Sequence, residues 1–502
     1  GTLYLAGGGT LTMMDGARIS GCTAAEGGAV YLDHASADLS GSAAVKDCKG
    51  SSAGGGIAAA NTSSILLADD AAITGCTAGM GAGVSASGST LTMKNRAAIA
   101  DNTATTKGGG ALLVNTASRL SMSGSTSISG NQTTSDTAAY LGGGGVRLEA
   151  GASAAMNDTA TVANNTANYD GGGFNIDDRA VLTLGENASI TGNAAKNGHG
   201  GGVNVDNGAT LTLTGNAAIS KNSAKKNGGG IDLDGLLKNN VTPSPALTTV
   251  TLSDYAAITG NTSEERGGGI MVYKYCTLTL NGNAVISLNS AKDGGGVYVE
   301  GVDTDKASYD QSIVNLMGGT ISANTATNHG GGILLYYGTL NLQDGAITAN
   351  KAGQRGGGVY VAPVCTGITM KGASMISENE AGDDGGGVCV ISEDGWSRDG
   401  RLTMEDTAAI LNNRAAQSGG GLYMRLGGGD NTDTFHVAMS GHSSISGNAA
   451  GKGSGGFLND TVYKNPPIYE NVHVSYLYLA DSANVSGNET ADFYVREVMY
   501  LD

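Results

Sequence analysis

A cluster of glycines followed by one aliphatic or aromatic residue recurs along the whole chain, and this feature limits the fold more than any other. The apolar residue stands at Val30, Ile57, Val84, Ala111, Val146, Phe174, Val203, Ile231, Ile270, Val297, Ile333, Val359, Val388, Leu422 and Phe457, mostly 26 to 29 residues apart. A unit of that length cannot bury an apolar face alone and has to stack on its neighbours. Each unit holds two further patterns, seen together in Leu91-Thr92-Met93 and Ile99-Ala100-Asp101-Asn102. Alternation with period two turns Leu91 and Met93 to the core and Thr92 to water. The same inward pair returns as Leu211 and Leu213, Leu278 and Leu280, Leu340 and Leu342, and Leu402 and Met404. No segment sustains a helical period.

Composition agrees. Among 502 residues there are 84 glycines but four phenylalanines and one tryptophan, too few large aromatics for a conventional core of this size. The fold expected is all-β: a right-handed parallel β-helix spanning residues 1–502, of about 16 coils of three short strands. Coils about 4.8 Å apart would share one continuous core. The glycines supply positive φ and close backbone packing at a tight corner; a phosphate-cradling loop would need a following helix and usually a lysine, and the sequence has neither. The Asn of the Ile-x-x-Asn pattern forms a column from Asn102 to Asn488 that includes Asn193, Asn222, Asn261, Asn289, Asn324 and Asn350. Stacked amides can bond to one another and to turn backbone. Cys22, Cys48 and Cys76 hold this place in the first coils, as small buried stand-ins for Asn, although neighbours about 4.8 Å apart would permit a disulfide. Six cysteines in a chain this long are no disulfide framework.

The net charge of −17 argues against a nucleic-acid or anionic-membrane partner, and no run of eighteen apolar residues offers a membrane span. The chain opens on Gly1 without a signal peptide, as expected of a processed chain or of a segment of a longer one. Gly-Gly-Ala-Val at 27–30 and the Ile-x-x-Asn column resemble the GGA-[ILV] and FxxN repeats of chlamydial polymorphic membrane protein passengers. The resemblance covers essentially the whole chain and implies a β-helical, surface-exposed adhesin. It does not fix an activity.

The departures from uniformity are where contacts are expected. Insertions follow the glycine-cluster strand near 234–248, 301–312, 392–400, 425–435 and 459–472, and such one-sided insertions in solenoids commonly form a binding face; a further one near 133–141 precedes a glycine cluster and sits at another corner. Outward positions of this strand are polar from Arg147 and Glu149 to Asp232 and Asp234, then turn apolar at Met271, Tyr298, Leu334, Tyr360, Cys389, Tyr423 and Leu458. Exposed, these seven would be a partner stripe; covered by the neighbouring insertions, they would be core. Asp177, Asp206 and Asp234 share one register, which suggests either strand-end turns or a cation such as calcium. No other cofactor is expected.

The only tryptophan, Trp396, sits in a loop with Arg398 and three carboxylates, a candidate glycan contact but not a catalytic constellation. Broken Thr-x-Thr pairs such as Thr210 and Thr212 make a poor ice-binding array. Residues 489–502 form an atypical terminal strand or cap, with Phe493, Val495, Val498 and Leu501 as candidate assembly residues. Together these features lead to the expectation of a secreted or cell-surface structural protein. It would be a fibre subunit associating with itself, or an adhesin stalk with a glycan or protein ligand. The alternative is a carbohydrate-active β-helix.

Overall fold

The structure, a computed structural model, describes residues 2–135, 142–235, 247–301, 312–362, 367–392, 399–426, 434–460, 474–490 and 493–495. The chain divides into two compact units, residues 1–263 and 264–502. Each is a parallel β-helix, and together they hold about sixteen coils.

In the first unit every coil adds one strand to each of four parallel sheets. The glycine-corner sheet runs from Leu3–Ala6 to Ile231–Asp234, the leucine sheet from Thr10–Met13 to Thr248–Leu252 and the isoleucine sheet from Arg18–Ser20 to Ala257–Thr259. A fourth sheet runs from Thr23–Glu26 to Thr262–Ser263. The second unit repeats the plan. Its sheets start at Ile270–Tyr273, Cys276–Asn281, Val285–Ser287 and Ser290–Ala291. Three strands per coil were expected, and the fourth is an addition. In most coils it is a two-residue strand such as Ala194–Ala195, too short for alternation to announce it.

Like stacks on like. Leu182 pairs with Leu211 and Ile190 with Ile219 in the first unit, as Leu340 pairs with Ile368 and Ile321 with Ile347 in the second. The expected inward pairs, Leu91 and Met93 through Leu402 and Met404, are buried. At about 1.5–3 kcal/mol for each fully buried aliphatic side chain, this layering is the main driving force.

The corner Gly294-Gly295-Gly296 shows why the triplets are glycine. Gly294 has φ +63°, and a Cβ on Gly295 would lie 2.5 Å from the Thr325 carbonyl of the next coil. A Cβ on Gly296 would lie 2.6 Å from Gly332 O and 2.9 Å from Asn324 Nδ2. The triplet thus makes room for the amide ladder. In that ladder the Asn193 N–H and Nδ2 both donate to Asn222 Oδ1 at 2.9 Å, and Nδ2 also donates to Val162 O at 3.0 Å. Asn222 hands on to Asn261 in the same way. In the second unit Asn289, Asn324, Asn350, Asn379, Asn413, Asn448 and Asn488 form the corresponding chain. Cys22, Cys48 and Cys76 are free thiols. Cys48 and Cys76 donate to the carbonyls of Lys46 and Thr74 and occupy the Asn place, and burial pushes the Cys76 thiol up to about 12.

The coil at 453–460 corrects the register read from sequence. Gly456, not Phe457, pairs with inward Leu422, so Phe457 faces outward opposite Tyr423 and Leu458 pairs with Met424. The glycine cluster Gly455-Gly456 here runs one residue past the corner, which shifts everything after it by one. Phe493–Val495 pairs in parallel with Gly456–Leu458, so this end of the chain supplies a strand to its own sheet. No helix among the described residues is long and apolar enough to cross a membrane.

Candidate functional site

The outward face of the glycine-corner sheet differs most between coils, and it is flanked by a column of side chains that the repeat pattern did not single out. In the last three triplets of the first unit the residue just before the glycines is Asp170, His199 and Asn227, and Lys107 holds the same place before Gly108. In the second unit it is Arg266, Asp293, His329, Arg355, Asp384 and Ser418. Backbone bonds such as Gly171 N to His199 O (3.0 Å) and Gly294 N to His329 O (2.9 Å) stack these residues coil on coil. Polar residues before the glycines were the signal available in the sequence. Their direction was not legible there.

In the second unit this column lies over the expected partner stripe. The Arg266 guanidinium sits 5.0 Å from the centroid of the Tyr298 ring, with Nη1 2.9 Å from Glu300 Oε2. The His329 ring stacks on Tyr360 with centroids 4.6 Å apart. Met271, Tyr298, Leu334, Tyr360, Cys389 and Tyr423 are all buried, the most open being Tyr360 at 9 %, so they are core rather than a free surface. The seventh member is Phe457, stacked on Tyr423 at 5.5 Å, in place of Leu458. Burial raises the Tyr298 hydroxyl above its ordinary value and pushes Tyr360 up to about 12. Burial also lowers the pKa of His329, and it raises that of Asp384 against the pull of Arg355, whose Nε lies 3.6 Å from the Asp384 carboxylate.

In the first unit the same face is polar and equally shut. Arg147 is 1 % exposed and bridges two carboxylates, Glu149 at 2.9 Å and Asp177 at 3.0 Å. Lys107 adds a 2.7 Å pair to Glu149, and although burial alone would raise this carboxyl, the two cations hold it below its ordinary value. Asn175 and Asn204 are buried in the Arg147 column, and Asp232 pairs in register with Asn204. Asp206 pairs with Asp234, ends its strand and is followed by Asn207 (φ +57°) and Gly208 (φ +78°), so the expected strand-end turn is present. The His199 Nδ1 lies 3.8 Å from Asp232 Oδ1, while its N–H donates to Asp170 Oδ1 at 2.9 Å. Desolvation, with carboxylates as neighbours, puts Asp206 and Asp232 well above the usual carboxylate range.

Among the described residues no three His, Cys, Asp or Glu side chains are grouped so that they could hold a metal ion. Asp177, Asp206 and Asp234, the residues expected to do so, are not among such groups, and Asp177 is paired with Arg147. Trp396, Arg398, Val498 and Leu501 lie outside the described residues, as does most of the inserted sequence at 236–246, 302–311, 393–398, 427–433 and 461–473. Phe493 and Val495 lie in the terminal strand. Comparison with protein-family models, curated proteins and solved structures found no match.

Proposed function

We propose that this chain is an extracellular structural protein, a fibre subunit or adhesin stalk, in which stacked coils present surface loops. The observation that carries this reading is the amide ladder with its glycine corners. The residues repeated from coil to coil are spent on stacking one coil on the next, as at Asn193 to Asn222 and Asn324 to Asn350. Proteins built this way gain stability by nearest-neighbour contact and offer loops and edges for partners. The likeness of the GGA-[ILV] and Asn repeats to surface-exposed passengers supports the extracellular setting. The contact regions in this reading are the inserted loops and the strand edges, since the apolar column is buried.

Electron microscopy of the purified chain at micromolar concentration, with and without calcium, tests the reading. Regular end-on assemblies are the expected result for a fibre subunit. Dispersed single molecules in both conditions would exclude that form. Glycan and host-protein binding by the intact chain would then decide the adhesive form, and an absence of binding would remove it as well.

A further inference from the structure

The polar face of the first unit gathers more carboxylates than cations. Arg147 and Lys107 are engaged with Glu149 and Asp177. Facing Asp206 and Asp232 are Asp170 and His199 from the corner column and Asp177 and Asp234 from the sheet, and Lys226 acts on Asp170. Asp178 and Arg179, in the turn beyond Asp177, are 3.8 Å from each other. The hydrogen bonds point to the same shortage. Asn204 Nδ2 donates to Asp206 Oδ2 at 2.5 Å. The buried oxygens Asn175 Oδ1 and Asp232 Oδ1, on residues 1 % and 7 % exposed, meet no donor among the described residues. This is an array of acceptors, and a protonated carboxyl is the smallest group that turns an acceptor into a donor within the space present.

We propose that this carboxylate cluster is a proton-operated catch, closed while Asp206 and Asp232 carry protons and loosened when they ionise. The proton on either carboxyl supplies the O–H that the neighbouring oxygens lack. Its loss leaves like charges on adjacent coils about 5 Å apart. The sign follows from the raised position of both groups. The unfolded chain ionises these carboxyls near 3.8, the folded chain only at higher pH. Their contribution to stability is therefore complete below about 3.8 and falls as pH rises towards the folded values, by up to about tenfold in the local opening equilibrium per pH unit and per group. Glu149 has the opposite sign, since its folded value is lowered, and it acts only below about 4.5.

Hydrogen exchange of the full chain tests the catch at the amides of Val203–Asp206 and Ile231–Asp234. Between about pH 5 and pH 8, after correction for intrinsic rates, protection should fall at least about tenfold in the wild type and stay level in Asp206→Asn/Asp232→Asn. Level protection in the wild type, or an equal fall in the variant, overturns the proposal. Should the variant not fold, carbon NMR of the wild-type carboxyls decides. Titration of Asp206 and Asp232 well above the ordinary carboxylate range supports the catch, and titration within that range overturns it. Calcium that restores protection at pH 8 in a wild type with ordinary carboxyl titration would also overturn it, in favour of a metal site.

Discussion

Each unit contains an Asp–His step before its glycine triplets, and the two steps are built alike. The His199 N–H donates to Asp170 Oδ1, and the His329 N–H donates to Asp293 Oδ1. What lies under the imidazole differs: Asp232 at 3.8 Å in the first unit, the ring of Tyr360 at 4.6 Å in the second. One backbone geometry thus closes over a carboxylate cluster in one place and an aromatic column in the other. In these coils the outward position beside the corner is covered, whereas at Tyr31 and Ser85 it is only half-buried. The coil does not dictate whether salt bridges or dispersion fill the space.

Removing the buried cation should have the largest effect. Arg147→Ala takes the shared guanidinium from Glu149 and Asp177, leaving Lys107 as the cation on Glu149, and should destabilise the first unit by about 3–5 kcal/mol. Met271→Ala at the apolar face should cost the second about 2–4 kcal/mol through a cavity. Site-resolved hydrogen exchange separates the two, and an Arg147→Ala cost below that of Met271→Ala would mean that the salt-bridge network is not what holds the polar face.

The ladder shared by both units predicts equality. Asn193→Ala and Asn324→Ala each take one acceptor from a backbone N–H and an amide of the preceding coil and should cost about 2–4 kcal/mol alike. Urea titrations differing by more than about 1 kcal/mol between the two variants would show that the ladder is not the common support.

The pH responses should run in opposite directions. Burial lowers the pKa of His329, so the unfolded state protonates first, and the coil of the second unit around Ile333–Tyr336 should lose stability as pH falls through about 6.5. Above about 3.8 the carboxylates of the first unit make it lose stability as pH rises. Exchange at Ile333–Tyr336 and at Val203–Asp206 across that range reads both, and His329→Gln should flatten the response at the former strand. Slopes of the same sign would contradict the assignment.

The smallest effect concerns the thiol end of the ladder. Cys76→Ser keeps a hydroxyl donor for Thr74 O and an acceptor for the Cys48 backbone N–H of the coil before, and should change stability by no more than about 1 kcal/mol. Cys76→Val keeps the size and removes both bonds, and should cost more. Equal costs would make the column a matter of packing alone.

The coil itself was legible in the sequence because its period is local. Gly-Gly-Gly, Leu-x-Leu and Ile-x-x-Asn recur mostly every 26 to 29 residues, and period-two alternation told inside from outside at Leu211 and Ile219 alike. The placement of Phe457 was not legible, since a four-residue cluster with three glycines allows two registers and only pairing with Leu422 and Tyr423 selects one. The burial of Tyr298 and Tyr360 was not legible either. Alternation says that they leave the core; it cannot say that Arg266 and His329, from the coil before, lie back over them.

Sequence alone determined a stack of parallel coils, with its aliphatic layers, its glycine corners and its column of Asn, because each rests on residues a few positions apart and on a repeat that copies them. Tertiary structure decided what the outward face of the glycine corner is. Its covering residues come from a neighbouring coil about thirty positions away, and whether Asp177, Asp232 or Asp206 meets Arg147, His199 or another carboxylate depends on which coils stack, not on its own neighbours in the chain.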